Sequence, residues 1–210
     1  MSGETKSADT KGRILDVALE IIEKEGLKAL KVRTVSERTG LSLSLVNHHF
    51  GSKQGLLDAC KDRYYQGLQD VVAAVIEETR DGTMADVVEL AIRDTFSYSR
   101  VHRAVLRMLT RDVFADGGLI EPYRETLQRP HFNPVMDFFA PRLGLDPQRA
   151  RVRLQAISVV LTRFATSTEE ELKAIFGLSG DEAVAAAEDH LVEIAGLLLM
   201  PQNVEASGDS

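Results

Sequence analysis

Apolar residues recur along this chain with the spacing of helices. The first clear stripe follows the i, i+3, i+4, i+7 pattern of one buried helical face and consists of Ile14, Val17, Ala18, Ile21 and Ile22. It predicts a helix over about residues 10–25. Gly26 is expected to end this helix, because a glycine just past the last apolar position is a common helix cap.

Two shorter helices are predicted next. One covers residues 32–39, and Gly40 then supplies a turn. The other covers residues 43–49, and the hydroxyl of Ser42 can cap its N-terminus. Three short helices in about fifty residues form a small module of their own.

The rest of the chain also has a helical pattern. A long helix is predicted from Lys53 until Asp81 and Gly82, and its length suits a connector between domains. Further helices are expected over 83–99, 101–115, 122–140 with interruptions, 147–167, 169–176 and 181–200. The β-branched run Ala156–Leu161 would also suit a buried strand, yet no Gly or Pro bounds it, so we assign it to a helix. The fold class is therefore all-α.

The chain is long enough for two unequal domains, with 210 residues of which 44% are apolar. We predict a DNA-binding domain over 1–52, with residues 1–8 disordered, a helical domain over 53–200 and a disordered tail over 201–210. The N-terminus has no signal-peptide pattern, and no window of about 18 apolar residues could span a bilayer. A cytoplasmic location is expected.

The net charge of −7 is unevenly distributed. Residues 1–60 carry a net +1, whereas residues 61–210 carry a net −8. The acidity of the whole chain therefore does not exclude a nucleic-acid partner for the N-terminal module. The lone cysteine, Cys60, excludes an internal disulfide and is expected to be a small core residue.

The segment from Val32 to Ser42 has the order that a helix-turn-helix requires: a short amphipathic helix, a glycine turn, an apolar wedge and an N-cap. In the following helix, Val46 can pack inward. The outer, DNA-facing side is then left to Leu43, Ser44, Asn47 and His48.

This segment resembles the tetracycline-repressor (TetR) family. Members commonly carry a pattern like VRDIAERAGVSKGTLYYHFGSKEELL, and this chain has VRTVSERTGLSLSLVNHHFGSKQGLL without a gap. The pair Asn47-His48 replaces two tyrosines of the pattern, which bears on the DNA sequence that is read. Asn can bond adenine bidentately, and His can donate to guanine or contact a phosphate.

The resemblance, together with the outer face, gives the expected DNA contacts. These are Lys11, Arg33, Thr34, Ser42, Leu43, Ser44, Asn47, His48 and Lys53. Taken singly, His48 or Arg33 could equally be an ordinary surface residue, and the ordered set carries the prediction. His49 is expected to be structural, beneath Phe50.

The resemblance also implies a small-molecule effector bound in the larger domain, whose identity the sequence does not give. The residues expected to line its site are Tyr64, Tyr98, His102, Arg103, Arg107, Met108, Phe132, Met136 and Phe164, with Phe114 and Phe139 as further candidates. Most apolar members could simply be core. The arginines from Arg100 to Arg111 could instead form a solvated helix stripe.

By the same resemblance, the segments 147–167 and 181–200 should form a four-helix bundle between two protomers. The last helix carries a broad apolar stripe of Val184, Ala187, Leu191, Ile194, Ala195, Leu198 and Leu199. Burial within one protomer is the alternative. The family implies a ligand-responsive repressor that binds a palindromic operator as a homodimer and is released by its effector.

Two other classes of protein, an enzyme and a helical adaptor, fit this sequence less well. An enzyme would need a recognisable site, but His102, His131 and His190 are far apart, and the chain has no HExxH pair, phosphate loop, dinucleotide fingerprint or nucleophile elbow. We expect no catalytic residues, no metal and no cofactor. A helical adaptor that binds proteins would not need a polar recognition helix.

Overall fold

The chain is helical throughout the part that the computed structural model describes, which is residues 2–115 and 137–200, and this part contains no strand. The first helices are α1 (Ser2–Glu25), α2 (Val32–Thr39), α3 (Leu43–Phe50), α4 (Lys53–Glu78), α5 (Met84–Val101) and α6 (Arg103–Ala115). A 3₁₀ turn, Leu27–Ala29, lies between α1 and α2. The later helices are α7 (Pro147–Thr166), α8 (Glu169–Phe176) and α9 (Gly180–Leu199). The all-α prediction is confirmed.

The predicted helix bounds agree with these within about two residues, with one exception. The helix α1 begins at Ser2 rather than near residue 10, so residues 2–8 are helical rather than a disordered tail. Periodicity missed them because they carry no apolar stripe, although extending a helix that is already packed needs no new nucleation. The run Ala156–Leu161 is helical, within α7. Residues 116–136 and 201–210 lie outside the described part.

The helices form two compact units, and α4 runs through both. In the described part, unit 1 comprises residues 2–69 and 100–115, and unit 2 comprises 70–99 and 137–200. Unit 1 therefore groups the helix-turn-helix with the first part of α4 and with α6.

The core of unit 1 is built around the predicted stripe of α1. Ile14, Ala18, Ile21 and Ile22 are fully buried, whereas Val17 is only half-buried. From α2, α3 and α4 the core receives Val35, Val46, Leu56 and Cys60. Burial raises the pKa of the Cys60 thiol to about 12, which leaves it a neutral apolar group, as expected for a small core residue.

Unit 2 is organised by α7, α8 and α9. The Asp146 carboxylate accepts hydrogen bonds from two backbone amides in the first turn of α7, and Thr168 and Glu171 form a capping box at the start of α8. The helix α9 packs against both α7 and α8. These caps set where α7 and α8 begin.

The stripe predicted for the last helix is mostly covered within unit 2 itself. Along α9, Ala187, Leu191, Ala195 and Leu199 are buried, and Ala183 extends the same face. The other predicted members, Val184, Ile194 and Leu198, are only partly covered. Leu191 is therefore a core residue of its own protomer, and its burial does not require a second protomer.

The apolar residues that remain exposed on α7 and α9 are different ones. Val152, Val159 and Leu197 are 63%, 59% and 59% exposed. The guanidinium of Arg153 donates to the carbonyl of Leu198 at 2.8 Å, so the start of α7 lies beside the end of α9. None of the helices in the described residues combines the length and apolarity that crossing a bilayer requires.

Candidate DNA interface

The turn between α2 and α3 is fixed by local hydrogen bonds. Gly40 ends α2 in the left-handed conformation with φ 69°, which residues with a Cβ adopt only at a cost. The hydroxyl of Ser36 donates to the carbonyl of Leu41 at 2.6 Å. The hydroxyl of Ser42 then accepts from the amide of Leu45 at 3.1 Å and caps α3, as the sequence predicts. The start of α3 is therefore tied to the end of α2.

The helix α3 presents a polar outer face. Val46 on its inner side is fully buried, which anchors the helix to unit 1. Ser44, Asn47 and His48 are exposed, and Leu43 is 46% exposed. These four residues are the ones that sequence analysis placed on the DNA-facing side, and the structure brings them together on one surface of one helix.

The other expected DNA contacts are also accessible. Lys11, Arg33 and Lys53 are exposed, and Thr34 is half-buried. The guanidinium of Arg33 pairs with Glu37 at 2.9 Å, but both side chains are largely solvated, and such a pair contributes little to stability. Arg33 can therefore exchange this partner for a phosphate at small cost.

Lys53 is the first residue of α4, where backbone amides point outward and favour an anion. The same first turn carries a side-chain cap, because the hydroxyl of Ser52 accepts from the amide of Gly55 at 3.1 Å. Lys53 thus places a mobile cation beside the C-terminal end of α3, which suits a phosphate flanking the bases that α3 would read.

Replacing Lys53 with alanine should weaken binding to specific and random duplexes alike. Each phosphate contact that is lost should also reduce the slope of log affinity against log salt concentration by about 0.9. Titrations at several salt concentrations measure this slope. The exposed lysine of α8 offers a control, since Lys173→Ala should leave the slope unchanged. A loss confined to one DNA sequence would contradict the assignment of Lys53 to phosphate.

Sequence analysis missed Gly55, which shapes the joint between α3 and α4. A Cβ at this position would lie 2.1 Å from the carbonyl oxygen of Phe50, the last residue of α3. Only glycine permits this approach, because real Cβ contacts essentially never fall below 3.0 Å. The signal was present in the sequence, because the common family pattern has glutamate where this chain has Gly55.

The predicted effector residues of unit 1 are partly brought together. Tyr64 and Met108 are buried, and the Tyr64 ring meets the His102 ring edge to face with centroids 6.3 Å apart. Burial lowers the pKa of His102, so its neutral form is favoured. Arg103 is half-buried and Arg107 is exposed.

The other predicted effector residues belong to unit 2 or lie outside the described part. Tyr98 is half-buried, and Phe164 is half-buried against Phe176, with ring centroids 5.6 Å apart. The side chains of Phe132 and Met136 are not among the described residues. A surface cleft of unit 2 contains no predicted effector residue and is lined by Asp146, Gln148, Arg149, Val152 and Arg153.

Comparison with known proteins identifies the family of the N-terminal module. Residues 14–60, which run from α1 through the helix-turn-helix into α4, match the family model described as bacterial regulatory proteins, tetR family. This part of the chain is a TetR-family DNA-binding module. The match covers α2 and α3 completely, and with them every DNA-contact candidate except Lys11.

Relatives and solved structures agree with this assignment. An HTH-type transcriptional regulator from the dhlA 5′ region of Xanthobacter autotrophicus is 46% identical over 65 residues, which is 31% of this chain and 32% of that relative. This chain therefore matches about a third of that relative's length. A Rhodococcus sp. protein assigned to the TetR-family transcriptional regulators has a TM-score of 0.64 at 17% identity, covering 91% of this chain and 99% of its own.

A more distant fold neighbour is the multidrug binding protein EbrR, solved in complex with imidazole. Its TM-score is 0.52 at 19% identity, with 92% of this chain and 97% of that chain covered. At such identities the likeness shows a shared fold. The Xanthobacter and Rhodococcus proteins are named as transcriptional regulators and not as enzymes, in agreement with the expectation that this chain is no enzyme.

Proposed function

We propose that this TetR-family protein is a ligand-responsive transcriptional repressor, which binds a palindromic operator as a homodimer and is released by a small-molecule effector. The observation that carries the proposal is the exposed polar face of α3, held by a capped start and a buried Val46. The proposed division is a DNA-binding domain over 1–52 and an effector-binding and dimerisation domain over 53–200.

The chemistry of α3 supports reading of base edges. The amide of Asn47 can donate to and accept from adenine at once, and the imidazole of His48 can donate to guanine. Leu43, at the first position of the helix, offers an apolar contact for a thymine methyl group. Lys11, Arg33 and Lys53 would hold the backbone around these contacts.

Homodimerisation is supported by the apolar side chains that unit 2 leaves exposed. Val152, Val159 and Leu197 lie on α7 and α9, the two helices that correspond to the predicted dimer segments 147–167 and 181–200. Their burial against a second copy would remove exposed apolar surface from water. A two-fold pair would also present two copies of α3, as a palindromic operator requires.

Effector binding is supported by a smaller set of observations. Tyr64 and His102 form a pair of aromatic groups with polar atoms inside unit 1, which suits a ligand that offers both an apolar surface and a hydrogen-bonding group. The fold neighbour EbrR is a multidrug binding protein. The same proposal places the protein in the cytoplasm, where the operator DNA is found.

Selection from a pool of random duplexes tests the proposal. The purified protein should enrich a palindromic site whose half-sites lie one or more turns of the DNA helix apart. One turn corresponds to about 34–36 Å. Footprinting on the selected site should then protect both half-sites together. A pool that shows no enrichment, or that converges on a single unrepeated half-site, would refute operator binding by a dimer.

A further inference from the structure

The start of α6 is capped by a side chain from a different helix. The carboxylate of Glu23, near the end of α1, accepts hydrogen bonds from the amides of Ala104 at 3.1 Å and Val105 at 3.4 Å. The first amides of any helix lack partners within the helix and are commonly capped by a Ser, Thr, Asp or Asn just before it. Here His102 occupies that position, so Glu23 supplies the cap across 81 residues of sequence.

The electrostatic setting of Glu23 combines opposing effects, of which burial is the largest. The carboxylate is half-buried, and burial raises its pKa, while the two amides and then Arg103 and Arg107 act in the opposite direction. A charged acceptor at a helix N-terminus interacts favourably with the helix dipole, and charge-assisted hydrogen bonds are about twice as strong as neutral ones. The contact therefore links α1 to α6 more firmly than packing alone.

Glu23 belongs to the body that carries α3. The helix α1 packs against α2, and α2 packs against α3. Further bonds hold α1 to α2: Arg38 pairs with Glu25 at 2.6 Å, and Arg13 donates to the carbonyl of Thr39 at 3.3 Å. A displacement of the end of α1 would therefore be shared by α3.

The helix-turn-helix is attached to the rest of unit 1 at several places. The turn Gly51–Ser52 joins α3 covalently to α4, and Arg63 of α4 pairs with Asp16 of α1 at 3.5 Å. The bond from Glu23 adds an attachment to the first turn of α6, beside the place where Tyr64 of α4 meets His102.

We propose that Glu23 is a positioning residue for operator recognition. Its carboxylate fixes the angle of the helix-turn-helix on α6, and thereby the placement of α3 on the DNA. Movement of the first turn of α6 reaches α3 through this bond. This role rests on the proposed function, because the placement of α3 matters only when α3 contacts the bases of an operator.

Two substitutions at Glu23 separate positioning from folding. Glu23→Ala removes both acceptors, whereas Glu23→Gln keeps the shape and one acceptor oxygen but loses the charge. Affinity for the selected operator should fall about tenfold in the alanine variant and about threefold in the glutamine variant, since one lost charged contact is of this order. Affinity for a scrambled duplex should remain at the wild-type value in both.

The matched control is Glu20→Ala, which removes an exposed glutamate of the same helix whose ion pair is with Lys24, at 2.7 Å, and which caps no helix. This variant should bind both duplexes like the wild type. Hydrogen exchange provides a second readout, because the amides of Ala104 and Val105 should exchange faster in Glu23→Ala and not in Glu20→Ala.

The outcomes are distinguishable. A Glu23→Ala variant with lowered thermal stability and unchanged operator affinity would overturn the positioning role, as would an equal loss on operator and scrambled DNA. Rescue by glutamine together with a loss specific to the operator would support it. A wild-type protein that prefers no sequence would instead reject the proposed function, and the positioning role with it.

Discussion

Replacing Val159 with glutamate is expected to convert the proposed dimer into monomers and to abolish tight operator binding. Val159 is 59% exposed on α7, so a charge there costs the folded protomer little. Buried against a second copy, the same charge would lack a partner and oppose association. A monomer holds only one α3, and its affinity for a palindromic operator should fall about a thousandfold or more, toward non-specific binding.

Sedimentation and thermal unfolding check this result together. The variant should sediment as a monomer and retain the melting behaviour of a folded unit 2. Ile175→Glu serves as the control, because Ile175 is 52% exposed on α8 and the change of charge is the same, yet the dimer should persist. A Val159→Glu protein that remains dimeric at micromolar concentration would place the interface elsewhere. Leu191→Glu is unsuitable as a test, because Leu191 is buried within its own protomer.

Replacing Gly55 with alanine is expected to displace α3 from α4. The new methyl group would sit 2.1 Å from the carbonyl oxygen of Phe50, which is backbone and cannot rotate away. Overpacking of this kind costs about 1–3 kcal/mol of unfolding free energy. The loss of even one base contact, worth about 1–3 kcal/mol, would lower operator affinity by about tenfold or more.

Gly12 provides a control with the opposite sign. It lies within α1, where a Cβ would meet nothing within 4 Å. Gly12→Ala should therefore raise the unfolding free energy, by about 0.5–1 kcal/mol, because alanine has the higher helix propensity. Chemical denaturation of both variants measures the contrast. Equal stability of Gly55→Ala and the wild type would show that the joint relaxes freely.

Sequence alone predicted the elements well where local signals define them. Ser42 caps α3 as expected, and Gly40 ends α2 in the conformation that favours glycine. The outer face of α3 also follows from sequence, because one buried residue, Val46, fixes which side of a short helix is exposed. Spacing and capping are properties of a few neighbouring residues, and a single sequence displays them.

The features that sequence did not predict depend on distant neighbours. Periodicity identifies an apolar face of α9 but not which residues cover it. The sequence therefore predicts that Leu191 could face a partner protomer. The structure instead buries Leu191 within unit 2. The bond from Glu23 to Ala104 joins residues 81 positions apart, and a glutamate in a helix gives no local sign of such a role. Its geometry becomes visible only when α1 and α6 are placed side by side.

We propose that α3 reads DNA through Asn47 and His48. This role of α3 is tested most directly by the affinities of the wild type, Asn47→Ala and His48→Ala for the selected operator and for a scrambled duplex at one salt concentration. Both side chains are exposed, so neither substitution should alter the melting temperature. We predict a loss of about 1–3 kcal/mol per lost base contact on the operator and no change on the scrambled duplex. Operator affinity that stays at the wild-type value in both variants would contradict the claim.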